Sequence, residues 1–230
     1  MSILALALYG SRARADQNPD SDVDLFAITS ETDYKMIVRN NINIACYPRD
    51  LAHTRAENGD LYMLHIVREA KDLFDYTGEL SKLRDKFKYK SNYELEIQLA
   101  SDLAWFILDA EKIFRNYTLF NRRIAWCVRT ILIALSAEAR APVFSARQLG
   151  ELSGSLETVT LIENKDSEQY DPITAKHLNN FLITFGRSRP LLTKPTTLDG
   201  YAAHFSRSNN VMGTKTISAL RVNSTGNGYS

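Results

Sequence analysis

Hydrophobic and polar positions follow two different patterns along this chain, and the pattern changes near residue 90. Before that point, short apolar runs end at turn-forming residues, as strands of a small sheet do. After it, apolar residues recur every three or four positions over long segments, as in amphipathic helices. The sequence therefore predicts an α/β unit over residues 1–90, a helical unit over 91–205 and a flexible tail, rich in Ser, Thr, Asn and Gly, over 206–230.

The first unit is expected to contain a small sheet with helices between its strands. The predicted strands are residues 3–9, 22–28 and 42–47, with a short edge strand in "DLFDY", residues 72–76. One helical turn is predicted over residues 11–15, a helix capped by Ser30 over 31–39, and a further helix over 60–71.

The second unit is expected to be built on two long helices. Apolar residues at helical spacing run through "YELEIQLASDLAWFILDAEKIF" and "NRRIAWCVRTILIALSAEAR". Shorter helices are predicted over residues 146–152 and 173–185. The fold class that follows is a small mixed α/β sheet succeeded by an α-helical domain.

Composition narrows the class of protein only a little. The chain has 230 residues, is 44% hydrophobic and carries a formal net charge of +1, which is typical of a globular domain and favours neither acidic nor basic partners. Its first apolar run is too short to cross a membrane, and neither a signal peptide nor a membrane association is predicted. Cys46 and Cys127 lie among apolar neighbours and are expected to be buried thiols, so a cytoplasmic location is predicted.

The charged residues are segregated in the helical half. Arginines predominate between residues 115 and 147, and acidic residues predominate between 157 and 171. Arg122, Trp126 and Arg129 share one helical face, which could bind RNA through phosphate contacts and stacking. The same three residues could equally be a solvated face with the Trp against the core, and both interpretations stay open.

The residues that could bind a ligand or take part in catalysis are concentrated in the stretch "GSRARADQNPDSDVDLFA". Asp22 and Asp24 are two positions apart, so on a strand their side chains project to the same side. Two neighbouring carboxylates repel unless a cation neutralises them, and hard oxygen ligands suit Mg²⁺ together with substrate phosphates. Upstream, Gly10 lets backbone approach a phosphate, and the helical turn beginning at Ser11 offers N–H groups to an anion. Together these residues predict a site for a nucleoside triphosphate and its metal ion.

This stretch resembles the minimal signature of the DNA polymerase β superfamily of nucleotidyltransferases. The matching residues are Gly10-Ser11, Ala13-Arg14-Ala15 and Ser21-Asp22-Val23-Asp24-Leu25. The resemblance implies that Gly10 and Ser11 contact the phosphates, that Arg14 contacts phosphate or supports the loop, and that Asp22 and Asp24 are the catalytic Mg²⁺ ligands. The alternative for Arg14 is an ion pair with Asp16 or Asp20 and no role in binding. It continues through residues 42–76, which look like the next strand of the family, its helical connection and a closing strand.

The resemblance also implies an activity. Such proteins transfer a nucleoside monophosphate, here expected to be AMP from ATP, to an acceptor hydroxyl in a Mg²⁺-dependent reaction. Members of similar size include antibiotic nucleotidyltransferases and toxins of toxin–antitoxin pairs. The implied acceptors are therefore tRNA or another RNA, a protein, or an aminoglycoside-like small molecule, and a protein antitoxin is an implied partner. The helical unit would select the acceptor.

One position departs from the family pattern. The third carboxylate of the family falls on the strand at residues 42–47, where this chain has Asn43. Asparagine cannot take a proton from an acceptor and gives a metal only a neutral oxygen. Three alternatives follow: a base from the helical unit, a reaction that needs one metal, or a domain that kept binding and lost catalysis. The acids considered for the first alternative are Asp102, Asp109, Glu111 and Glu138.

Overall fold

The computed structural model describes residues 2–17, 19, 21–192 and 198–225 of the chain. The chain folds as two compact units, Met1–Ser91 and Asn92–Ser230. None of the helices within the described ranges has both the length and the apolar character needed to cross a bilayer.

The first unit is built on a five-stranded mixed sheet, which confirms the predicted fold class. Its strands are β1 (Ile3–Tyr9), β2 (Val23–Thr29), β3 (Lys35–Arg39), β4 (Ile42–Pro48) and β5 (Lys71–Phe74). They lie in the order β3-β4-β2-β1-β5, with β5 at the edge as predicted. The β2–β4 pair is parallel and the other pairs are antiparallel.

Side chains alternate between the two faces of the sheet along its three central strands. This alternation places both the core residues and the polar residues of the site. Alternate residues of β1, β2 and β4 are buried with the helices that follow in the chain, namely α2 (Arg49–Glu57), α3 (Leu61–Glu69) and α4 (Glu79–Lys86). The strand residues in this core are Ala5, Ala7, Phe26, Ile28, Ala45 and Tyr47. Two residues beyond these core positions, towards the same end of the sheet, the three strands carry Tyr9, Asp24 and Asn43. The site residues therefore stand on the same face as the core, at the end of the sheet where the apolar packing stops.

The predicted helix over residues 31–39 is wrong, because the second half of this segment is strand β3. Met36, Ile37 and Val38 supply apolar and β-branched side chains, which suit a strand. Strand β3 pairs with β4 in a register that places Arg39 opposite Ile42, so the connection has two residues. The first of them, Asn40, has φ 52°, a conformation that Asn tolerates well and that tight hairpins require.

The second unit consists of helices wherever a regular element is described, apart from two short 3-10 turns. These helices are α5 (Glu94–Asp109), α6 (Tyr117–Glu138), α7 (Ala146–Ser153), α8 (Leu156–Glu163), α9 (Pro172–Phe185), α10 (Leu198–Arg207) and α11 (Val211–Thr225). The two long predicted helices correspond to α5 and α6, and the two shorter ones to α7 and α9. Helices α8 and α10 were not predicted.

The segment over 206–230, expected to be a flexible tail, contains helix α11. Two apolar residues of this helix, Ile217 and Leu220, are buried, and they are three positions apart on one helical face. Asn210 precedes the helix and caps it, since its Oδ1 accepts the N–H of Gly213 at 2.9 Å. A composition rich in Ser, Thr and Asn therefore concealed a short amphipathic helix. Residues 226–230 lie outside the described part of the chain.

Candidate functional site

The turn after β1 requires glycine. Gly10 has φ 76° and ψ −155°, a backbone region that is essentially restricted to glycine. The one-turn helix α1 (Ser11–Arg14) starts directly afterwards, in agreement with the predicted helical turn. The first N–H groups of a helix have no acceptor within the helix, and such groups attract anions. Gly10 and Ser11 thus form a turn suited to a phosphate.

Asp24 lies against this turn. Strands β1 and β2 pair Tyr9 with Asp24, so the residue after Tyr9 is brought to the aspartate. A Cβ atom added to Gly10 would be 3.2 Å from the Asp24 Oδ2, closer than ordinary van der Waals contact. Asp22 immediately precedes β2 and is exposed. The predicted phosphate turn and a predicted metal carboxylate are therefore adjacent in the folded chain.

Asn43 occupies the neighbouring position on β4. The parallel register pairs Asp24 with Asn43, and the Asn43 Nδ2 donates a hydrogen bond to the Asp24 Oδ1 at 3.1 Å. Asp24 therefore has a glycine turn near one carboxylate oxygen and a neutral carboxamide at the other. Asn43, which the resemblance aligns with the third acid of the family, is therefore in contact with Asp24.

The donor set fits a hard divalent cation with incomplete protein ligation. Two carboxylates, at Asp22 and Asp24, and the amide oxygen of Asn43 are the oxygen ligands available here, and Mg²⁺ commonly combines one or two carboxylates with phosphate oxygens and water. Within the described ranges, no group of three His, Cys, Asp or Glu side chains is arranged to hold a metal. Substrate phosphates would have to complete the coordination of an ion bound at this site.

Arg14 connects α1 to α3. Its Nη1 donates to the Glu69 Oε2 at 2.6 Å, its Nε donates to the Asp16 Oδ2 at 3.0 Å, and His65 shares the same Glu69 oxygen at 2.6 Å. Burial lowers the pKa of Arg14, but the two acceptor carboxylates more than compensate, so the pKa is raised overall. These contacts agree with a role in supporting the loop, while direct phosphate binding by Arg14 stays a prediction. The sequence analysis missed Glu69 and His65, although their i, i+4 spacing was a possible signal.

Tyr9 is a titratable residue paired with Asp24 across β1 and β2. Burial, followed by the nearby Asp24 charge, raises the pKa of Tyr9 to about 12, although a hydrogen bond with Tyr62 opposes the shift. The phenol therefore stays protonated near neutral pH. Tyr9 can serve as a wall of the site, but it is poorly suited to accept a proton there.

The acids proposed as bases in the helical unit all have partners within that unit. Asp102 is buried, not a solvated surface acid, and its oxygens bond Gln98 and His204, both at 2.6 Å. Asp109 bonds Arg189 and Tyr201. The remaining two contacts are a hydrogen bond from the Tyr170 hydroxyl to Glu111 and one from the Tyr93 N–H to Glu138. Each carboxylate already has a structural partner, so these contacts do not favour any of them as a catalytic base.

Part of the segregated charge in the second half is paired at the protein surface. Arg122 donates from its Nε to the Asp166 Oδ1 at 2.9 Å, which joins the basic segment of α6 to the acidic segment that follows α8. This pairing reduces the positive charge that the Arg122, Trp126 and Arg129 face could offer to RNA. The contact therefore weakens the argument for an RNA acceptor drawn from charge segregation.

Ala15, which ends α1, provides a test of the turn's conformation. It has φ 63° and ψ 31°, a left-handed conformation that costs an L-residue about 1–2 kcal/mol. Because glycine avoids this cost but gives up more entropy on folding, we expect Ala15→Gly to raise the free energy of unfolding by about 0.5–1 kcal/mol. Urea denaturation measures the change. Ala70→Gly is the matched control, since Ala70 has φ −68° and should lose stability; a loss at both positions would contradict the left-handed turn.

Comparisons with known proteins agree with the motif. The family model described as "Polymerase beta, Nucleotidyltransferase" matches residues 1–79. Among curated proteins, none matches the chain significantly. A solved structure of a nucleotidyltransferase-like protein from Exiguobacterium sibiricum is similar over 92% of this chain and 83% of that chain, with 15% identity and a TM-score of 0.35. The family match supports a polymerase β-type domain at residues 1–79, and the structural likeness carries no argument because its TM-score is low.

Proposed function

From the polymerase β-type nucleotidyltransferase domain at residues 1–79, we propose that this protein transfers a nucleoside monophosphate from its triphosphate to an acceptor hydroxyl, with Mg²⁺ as cofactor and ATP as the donor. The observation that carries the proposal is the contact between the glycine turn and a carboxylate. Gly10 approaches Asp24 so closely that a single methyl group would crowd its Oδ2. A site that binds phosphate and cation together needs this proximity, because the carboxylates would have to hold a metal within reach of the phosphate, whose charge it would neutralise.

The residues of the first unit have distinct tasks in this proposal. Gly10 and Ser11 bind the β- and γ-phosphates, and Asp22 and Asp24 hold Mg²⁺, which when bound neutralises charge on the phosphates. The acceptor oxygen forms a bond to the α-phosphorus, the bond from that phosphorus to the bridging oxygen of the β-phosphate breaks, and pyrophosphate leaves. Asn43 cannot take the acceptor's proton, so the proton passes to water. Positioning and charge neutralisation supply most of the catalysis.

A second candidate function is nucleotide binding without transfer. The hydrogen bond from Asn43 to Asp24 favours it, because a neutral side chain stands in contact with the metal carboxylate where the family has an acid. In that case the domain binds a nucleoside triphosphate with Mg²⁺ and acts through a protein partner. For both candidate functions, a protein partner similar to an antitoxin stays a prediction.

Labelled nucleotides separate the two candidates. The purified protein is incubated with Mg²⁺, each α-labelled nucleoside triphosphate in turn, and RNA, protein and small-molecule fractions of a cell extract. Transfer of label that disappears on chelation of Mg²⁺ supports the transferase, and the labelled fraction identifies the acceptor class. Mg²⁺-dependent binding of a triphosphate without label transfer or pyrophosphate release supports the binding module. Failure to bind any triphosphate contradicts both.

A further inference from the structure

The side chain of Arg12 joins the phosphate turn to the strand that carries the aspartates. Arg12 is the second residue of α1, and its Nη2 donates to the backbone carbonyl of Ser21 at 2.7 Å. Its Nε donates to the same carbonyl at 3.1 Å and to the carbonyl of Asp22 at 3.2 Å. One guanidinium therefore bonds two consecutive carbonyls at the entry to β2.

These bonds act on the backbone of a candidate metal ligand. Asp22 lies outside β2, so the sheet does not pair it directly, whereas the next residue, Val23, donates its N–H to the Asn41 carbonyl at 2.7 Å. Arg12 holds Asp22 from one side and the sheet holds Val23 from the other. The orientation of the Asp22 side chain relative to Asp24 depends on that backbone.

The acceptors of Arg12 distinguish it from Arg14. Arg14 bonds the carboxylates of Glu69 and Asp16, so its charge is matched by acids, whereas the two Arg12 acceptors named above are neutral carbonyls. A planar guanidinium can reach two adjacent carbonyls with a fixed fork of donors, which a single ammonium group cannot do in the same geometry. The arrangement suits a clamp on the chain better than a charge pair.

We propose that Arg12 is a positioning residue that fixes the Asp22 backbone, so that the Asp22 and Asp24 carboxylates converge on one cation beside the phosphate turn. This inference rests on the proposed function. Arg12 thereby couples the position of the turn at Gly10 and Ser11 to that of the two carboxylates. Greater mobility of the turn would therefore increase the mobility of the carboxylates. Groups that orient metal ligands in this way typically contribute about 10–100-fold to metal affinity.

Mn²⁺ binding to the whole chain tests the inference, with free Mn²⁺ measured by electron paramagnetic resonance. We expect Arg12→Met, which keeps an unbranched apolar side chain but has no donors, to weaken Mn²⁺ binding by about tenfold or more. The Mn²⁺ affinity of Arg12→Lys should lie between those of the parent protein and Arg12→Met, because the lysine ammonium can still bond one carbonyl. Arg68→Met, which removes an exposed arginine of α3, should bind Mn²⁺ as the parent protein does.

A second readout separates positioning from folding. If Arg12 acts through the metal ligands, raising the metal concentration should restore nucleotide binding or transfer by Arg12→Met, while the urea midpoint changes little. A parent protein that binds Mn²⁺ neither alone nor together with a nucleoside triphosphate would overturn the proposed function itself. Equal Mn²⁺ affinity in the parent and Arg12→Met would overturn only the role of Arg12. A loss in Arg12→Met that excess metal does not restore, accompanied by a lower urea midpoint, would also overturn it.

Discussion

Replacing Asp24 by Asn is expected to reduce Mg²⁺-dependent nucleotide transfer by about a thousandfold or more. Asp24 is the carboxylate at which the phosphate turn and the strand meet, since its Oδ2 lies beside Gly10 and its Oδ1 accepts from Asn43. Asparagine has nearly the same shape, but it removes one of two negative ligands. If the protein binds nucleotide without transferring it, the metal-dependent part of binding should be lost instead. Transfer of α-label and Mn²⁺ titration measure the two quantities.

The Asp24→Asn change is informative because it should leave the fold intact. An amide oxygen at this position can still accept from the Asn43 Nδ2, so the free energy of unfolding should change by no more than about 1 kcal/mol. Asp85→Asn is the matched control: Asp85 is exposed on α4, and its loss should alter neither binding nor transfer. Full Mg²⁺-dependent activity in Asp24→Asn would place the site elsewhere in the chain.

The candidate site residues could be selected from the sequence because they lie close together along the chain. Gly10, Ser11, Asp22 and Asp24 lie within fifteen consecutive residues, and the strand–turn–strand between them follows from apolar runs interrupted by polar residues. The resemblance aligned Asn43 with the third acid of the family, but only the parallel pairing of β2 and β4 shows that it lies beside Asp24. The roles assigned to these residues stay predictions.

The contacts of the arginines could not be predicted in the same way. Arg12 and Arg14 are two positions apart, yet one bonds backbone carbonyls and the other bonds Glu69, which is 55 residues away in the chain. The contact between Arg14 and Glu69 depends on how α3 packs against β1, and the contacts of Arg12 depend on how the chain returns to β2. Sequence periodicity does not encode that packing at the level of single side chains.

The prediction of secondary structure was wrong where local sequence preferences and tertiary packing disagree. Residues 31–39 begin with Glu31 and Thr32 after a plausible helix cap, but Ile37 and Val38 pair with β4 once the Asn40 turn closes. The reverse happened at the C-terminal end. There a polar sequence forms α11 because burial of Ile217 and Leu220 outweighs its weak helix propensity.

Introducing a carboxylate at Asn43 is expected to make the protein's stability depend on metal. In metal-free solution at pH 7, Asn43→Asp replaces a hydrogen bond to Asp24 with contact between two negative charges, which should cost about 1–3 kcal/mol of unfolding free energy. Mg²⁺ or Mn²⁺ binds the folded state of the variant and should recover this loss, with a gain that grows with metal concentration. Urea denaturation with and without metal measures the effect.

The pH dependence of this destabilisation has a definite sign. Because the neighbouring negative charge raises the pKa of the introduced carboxyl group, the folded variant takes up a proton at a higher pH than the unfolded chain does. The destabilisation is therefore fully present above the folded-state pKa and disappears as pH falls below the ordinary Asp range. Asn41→Asp adds the same charge two residues earlier, in the exposed hairpin turn, and should show neither the metal dependence nor this pH dependence.

The same variant decides what the missing acid does to function. A third carboxylate can accept the acceptor's proton, and general-base catalysis contributes about 10²–10⁴-fold, so Asn43→Asp should accelerate transfer by at least about a hundredfold when proton removal limits the rate. Transfer that appears only in the variant would mean that Asn43 had silenced a nucleotide-binding domain. If the parent transfers nucleotide and Asn43→Asp does so at the same rate, one neutral and two acidic side chains are sufficient for catalysis. A metal-free variant as stable as the parent at pH 7 would contradict the contact between Asn43 and Asp24, on which both interpretations depend.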